Sequence, residues 1–214
     1  MPFLLRVELP DVPGSLGRVA TAIGEAGGDI EAIEIVEHRP DGTAVDDVLL
    51  EMAQGVMPDS VVSACNMLDG VHVLWVSRYA AGGNVFLDLE LIEQLTQNPS
   101  LALDELVDLL PVTFRADWAV RLSPTDSGFK QVHATSAAPD LGDPQASWFP
   151  LERAARLDVD SAWAQLHDNE VAGAPVDGGG IVVIGRRGGP AILDSEVARL
   201  GHLTALAVTI SQAG

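Results

Sequence analysis

At the start of the chain Leu5, Val7 and Leu9 alternate with Arg6 and Glu8, the period of two that marks a strand with one face buried. The alternation ends at "PDVPGS". From there Leu16, Val19, Ala20 and Ile23 recur at helical spacing until Gly27-Gly28 closes the helix. "DIEAIEIVEH" and "AVDDVLLEMA" predict two strands around "RPDGT", whose Asp-Gly pair predicts a hairpin. Pro58-Asp59 opens a second helix with Val61, Cys65 and Leu68 on one face, and "GVHVLWVSRY" predicts a last strand. The order βαββαβ predicts an α+β, ferredoxin-like domain over residues 1–80, with two helices on one face of an antiparallel sheet. The last strand is apolar on both sides, Val71, Val73 and Trp75 against Leu74 and Val76. This predicts a cover for the open face of the sheet, either the second half of the chain or another subunit.

"AAGGN" at 80–84 is the most linker-like stretch, so residues 81–85 are expected to link a second domain at 86–214. That domain begins with Leu89, Ile92 and Leu95 on one helical face. After Asn98-Pro99, Ser100 is expected to cap a helix carrying Leu103, Leu106, Val107 and Leu110. "DWAVRLS" and "KQVHATS" predict strands joined by "PTDSGF", and "GGGIVVIGRRGG" a strand bounded by glycines. Residues 137–169 show no clear period. A last helix, capped by Asp194 or Ser195, aligns Val197, Leu200, Thr204, Ala207 and Val208.

The charge balance narrows the function. Twelve basic against 31 acidic residues give −19 and a pI near 4.3, spread over both halves with no acidic tail. Nucleic-acid and anionic-membrane surfaces are disfavoured partners for such a chain. A single cysteine, an amino terminus unlike a signal peptide and no apolar run of spanning length predict a cytoplasmic protein.

The corner between first strand and first helix is the candidate site. Amides at a helix start lack internal partners and carry positive partial charge, so Gly14, Ser15 and Leu16 could hold a small carboxylate. Asp11 and Asp29 could hold an ammonium group, which together suits a free amino acid; alternatively, Asp11 and Pro-Gly only shape a turn. The run "LPDVPGSLGRVATAIGEAGGDI", with the hairpin and second βαβ piece after it, resembles an ACT domain over residues 3–79. The resemblance implies a regulatory module, with ligands at the interface of two such domains. They would touch Asp11, Val12, Gly14, Ser15 and Leu16 after the first strand, and Asp29 and Ile30 at the start of the second. Asp29 stands where the family often has Asn, which exchanges an amide donor for a charge.

"ADWAVRLS", "AGAPV" and "GGIVVIGRR" followed by Asp194-Ser195-Glu196 resemble a GAF domain over residues 86–211. The resemblance implies a small-molecule pocket over an antiparallel sheet.

Enzyme signatures are weak. Gly180 to Gly185 mimics P-loop spacing, but Arg186-Arg187 stand where Lys-Ser/Thr should be. His38, His72, His133, His167 and His202 are scattered without zinc spacing. His167-Asp168 with Glu170 reads as a polar loop, Cys65 as core, and Trp118, Trp148 and Trp163 as core before pocket lining. The expectation is a non-enzymatic, homodimeric regulator that binds an amino acid and signals through the GAF-like half or a protein partner. No catalytic residue, cofactor or metal is expected. A non-binding dimerisation adaptor is the alternative, and an enzyme with its site in the second half the more remote one.

Overall fold

The computed structural model describes residues 2–78, 83–125, 128–141, 148–159 and 166–213, and the chain divides into two compact units, 1–81 and 82–214.

In the first unit the elements run β1 (Pro2–Pro10), α1 (Ser15–Glu25), β2 (Gly28–His38), β3 (Thr43–Met52), α2 (Pro58–Asn66) and β4 (His72–Arg78). The sheet order is β2-β3-β1-β4 with antiparallel neighbours, the ferredoxin-like arrangement the pattern predicts. The alternation in β1 sends Leu5, Val7 and Leu9 into one core with Val48 and Leu50 of β3, Val19 and Ile23 of α1, and Val61 and Cys65 of α2. Asp41 makes the hairpin. Its carboxylate accepts from the Thr43 amide (3.0 Å) and hydroxyl (2.7 Å), while Gly42 takes a left-handed φ of 84°.

The two-sided apolar pattern of β4 has a local cause. Arg6 pairs with Trp75 but Val7 with Val73, so Leu74 is an extra residue at a bulge. Val73 and Val76 thereby both reach the core, and Leu74 is exposed. The strict alternation expected of this strand is corrected.

On the opposite face of the sheet, Arg6 and Asp47 pair directly across β1 and β3 and are buried. The Arg6 guanidinium donates to both carboxylate oxygens, at 2.7 and 2.9 Å. Next to them Arg39 donates to Glu8 and Glu37, the residues that flank Val45 in the ladder.

The second unit runs α3 (Gly83–Gln97), a 3-10 turn (Pro99–Leu101), α4 (Ala102–Phe114), β5 (Trp118–Thr125), β6 (Gly128–Ala134), β7 (Ala155–Arg156), β8 (Asn169–Pro175), a further 3-10 turn (Asp177–Gly179), β9 (Ile181–Arg187) and α5 (Asp194–Gln212). The sheet order β6-β5-β9-β8-β7 is antiparallel throughout. This is the flanked antiparallel sheet that the GAF resemblance implies. Alternation again sets the faces: Ala119, Val182, Ile184, Ala172 and Ala174 meet the helices. Trp118, Val120, Ile181 and Val183 pack with Leu141, Trp148 and Leu166 on the other side.

Three expectations change here. Residues 83–85 of the expected linker belong to α3, and 81–82 lie outside the described residues, as does Trp163. Ser100 does not cap α4, because it sits inside the 3-10 turn and the helix starts at Ala102. Neither Asp194 nor Ser195 caps α5. Glu196 reaches back to accept from the Leu193 amide at 2.9 Å, so the helix is capped from inside its first turn.

Candidate functional site

The chain leaves β1 at Pro10 and turns through residues 11–14 before α1 begins. The Asp11 amide donates to the Gly42 carbonyl at 2.8 Å, and the Val12 amide to that of Pro10 at 2.9 Å. Gly14 then takes a φ of 94°, which an L side chain resists, although a Cβ there would meet nothing within 4 Å. Backbone conformation, not space for a ligand, demands this glycine.

Under this corner lies a cavity of about 320 Å³, walled by residues 9–16 together with Ile35 of β2 and Ala44 and Asp46 of β3. Of the seven residues expected to bind, Asp11, Val12, Gly14, Ser15 and Leu16 line it. Asp29 and Ile30 do not: Asp29 lies across from Glu51 and Ile30 from Leu50, whereas the corner adjoins Ala44. Six strand residues separate those positions, roughly 20 Å. The Ser15 amide is also not available as expected, since it donates to the Val12 carbonyl at 3.2 Å. Among the described residues the amides of Gly14 and Leu16 have no acceptor.

Two polar side chains inside the cavity are buried and unpartnered. Ser15 and Asp46 are each 2% exposed, and neither Ser15 Oγ nor Asp46 Oδ1 has a hydrogen-bond partner. Asp46 lies between Val7 and Ile35 in the ladder, on the helix-covered face. Burial among them pushes its carboxyl above the ordinary value of 3.8; Asp11 and Asp47 add to the rise, and His38 opposes it. Asp11 stands at the rim and pairs with His38 Nδ1 at 2.8 Å, both partly exposed. Val12 and Ile35, 57% and 51% exposed, give the cavity an apolar lip.

Asp46 and His38 were missed as site residues. The signal for Asp46 was the doublet in "AVDDVLL": in a strand, one of two consecutive acids must face the core.

A second depression, about 410 Å³, runs along α1 between Gly14 and Glu25 and reaches Leu68, and no unpartnered buried polar atom faces it. Cys65 is fully buried, and burial pushes its thiol up, away from the reactive thiolate. His167 and Asp168 are exposed. His133 pairs with Asp108 at 2.9 Å. A Cβ on Gly185 would run into the Trp118 ring, so this glycine of the P-loop-like spacing answers to packing. Among the described residues no group of three His, Cys, Asp or Glu is placed to hold a metal, and no helix is long and apolar enough to cross a membrane.

NAD-dependent malic enzyme 1 of Bacillus subtilis (strain 168) is 39% identical over 74 residues, 34% of this chain and 17% of that protein. The chain thus spans a small part of that relative's length. Among solved structures, the GAF domain from a phosphoenolpyruvate-protein phosphotransferase (ptsP) of Coxiella burnetii is similar at 16% identity and a TM-score of 0.40, over 61% of this chain and 96% of that one. A formyltetrahydrofolate deformylase from Pseudomonas putida KT2440 is similar at 10% identity and a TM-score of 0.31, over 46% of this chain and 39% of that one. Likeness at this level bears on neither activity nor ligand. Residues 3–56 match the family model of the ACT domain, where the βαββ order and the Pro-Gly corner also lie, and the chain therefore carries an ACT domain in its first unit.

Proposed function

We propose that this protein is a non-catalytic regulator whose cavity at the β1–α1 corner takes a free amino acid, and that it works as a homodimer. The observation that carries this reading is the cavity itself, with two buried polar side chains, Ser15 and Asp46, left without partners. Buried polar groups in folded proteins are nearly always satisfied, so two orphans in one small cavity support an occupant that supplies the missing bonds. A volume of about 320 Å³ suits a small metabolite. The amides of Gly14 and Leu16 add positive partial charge for a carboxylate.

The ACT match supports a regulatory role, and the likeness to one part of a malic enzyme fits a module that attends metabolic chemistry without performing it. Asp29 and Ile30, remote from the cavity in one chain, would reach a cavity mouth from a second copy. Binding would then shift the arrangement of two protomers, and the GAF-like unit or a protein partner would read that shift. The exposed Val12 and Ile35 beside the mouth favour one other reading, in which this corner only holds two subunits together.

Thermal unfolding of the full chain against each of the twenty amino acids at millimolar concentration separates the two. Saturation at a hundred times Kd contributes about 2.7 kcal/mol, expected to raise the midpoint by roughly 5–10 °C. No shift with any amino acid leaves the dimerisation reading alone.

A further inference from the structure

We infer that Asp46, and not Asp11 or Asp29, is the counter-charge of the ligand, so that the cavity selects molecules bearing a protonated primary amine. This rests on the proposed ligand-binding role of the cavity and names what that cavity discriminates.

The inference follows from where positive charge is already committed. Arg6 holds Asp47, Arg39 holds Glu8 and Glu37, and His38 pairs with Asp11. Asp46 is buried beside these pairs with one oxygen unpartnered. No Lys or Arg is among its neighbours: Val7 and Ile35 flank it in the ladder, Ser15 and Asp11 line the same cavity, and His38, the one cationic group that acts on it, is already hydrogen-bonded to Asp11. A carboxylate in such a place is costly until a cation joins it, and the attraction is stronger there than at the exposed rim. Asp11 is the weaker candidate, since it is exposed and already paired with His38. Ser15, whose Oγ is the other orphan, lines the same cavity. The raised carboxyl of Asp46 agrees with this, because an ammonium partner restores the charged form that burial disfavours. A site built around an N–H donor rejects analogues that lack it far more strongly than an apolar pocket rejects a missing methylene.

The test is calorimetric titration of the full chain with the twenty amino acids, and then with the 2-oxo acid and the decarboxylated amine of the tightest binder. Wild type, Asp46→Asn and Asp11→Asn are compared. We expect the 2-oxo acid to bind at least tenfold more weakly than its amino acid, and Asp46→Asn to lose at least tenfold for the amino acid. Asp11→Asn should lose less than Asp46→Asn does. The unliganded unfolding midpoint of Asp46→Asn should not fall below that of wild type, which separates lost binding from lost folding. Affinity unchanged in Asp46→Asn, or a 2-oxo acid binding as well as its amino acid, overturns this inference and leaves the cavity's ligand-binding role standing. Failure of every amino acid, 2-oxo acid and amine to bind wild type overturns both.

Discussion

Asp46 and Asp47 are neighbours on β3, 2% and 4% exposed, and they point to opposite faces of the same sheet. Asp47 meets Arg6 in register across the ladder and accepts two hydrogen bonds from it. Asp46 meets Val7 on one side and Ile35 on the other. The chain thus buries two like charges within one residue of each other, and completes only one of them. The second unit follows the example of Asp47. Its buried Arg186 donates to the carbonyls of Phe114, Arg115 and Pro190 and to Glu196, and so joins the end of α4 to the start of α5. Burial of charge is therefore no sign of function by itself. A buried charge without its complement, opening onto a cavity, is the informative case.

The contrast can be broken most forcefully from the completed side. Arg6→Ala leaves Asp47 buried without this partner and is expected to cost about 3–5 kcal/mol, measured by urea unfolding. A loss below about 1 kcal/mol would place Asp47 in the same class as Asp46.

The open side should respond with the opposite sign. Asp46→Asn removes a charge that burial disfavours and is expected to stabilise the unliganded protein at pH 7. The pH dependence sharpens this. Because the folded carboxyl titrates above its ordinary value, its contribution to stability is full below about 3.8 and is lost as pH rises through the folded value. The gap between Asp46→Asn and wild type should therefore close as unfolding is repeated from pH 7 down to pH 4. A gap that widens on acidification would show that Asp46 is stabilised in its charged form.

The smallest effect belongs to the rim. His38→Ala breaks a partly exposed pair and is expected to change stability by less than about 0.5 kcal/mol. A larger change in the same urea experiment would move Asp11 from solvated rim to structural tie.

Much of the first unit was legible because each residue type has one physical use there. Alternation in β1 marked the side that carries Leu5, Val7 and Leu9 into the core, although Leu4 and Arg6 on the other side are buried too, and Asp41-Gly42 marked a tight turn. β4 misled because a bulge conserves the apolar run while shifting which side each residue faces, and period-two reading cannot see an inserted Leu74. The corner itself could be found from "PDVPGS", but not its most buried acid. Asp11 and Asp29 stood out by closeness in the sequence to the helix start and to the next strand, whereas Asp46 comes under the corner only through the β1–β3 register. That same register carries Asp29 to the far end of the sheet, because β1 and β2 both run antiparallel to β3 and so parallel to each other. In the second unit, β7 and the start of β8 fall within residues 137–169, where few apolar positions repeat, and non-local pairing alone makes them strands.

The bond from the Asp11 amide to the Gly42 carbonyl has a mechanical consequence. Gly42 is the tip of the β2–β3 hairpin, and the Asp11 carboxylate also grips His38 at the end of β2. Roof and hairpin are thus hinged together like a lid to its frame. Movement of the Asp11–Leu16 segment would therefore be felt at the end of β2, an edge strand of the sheet.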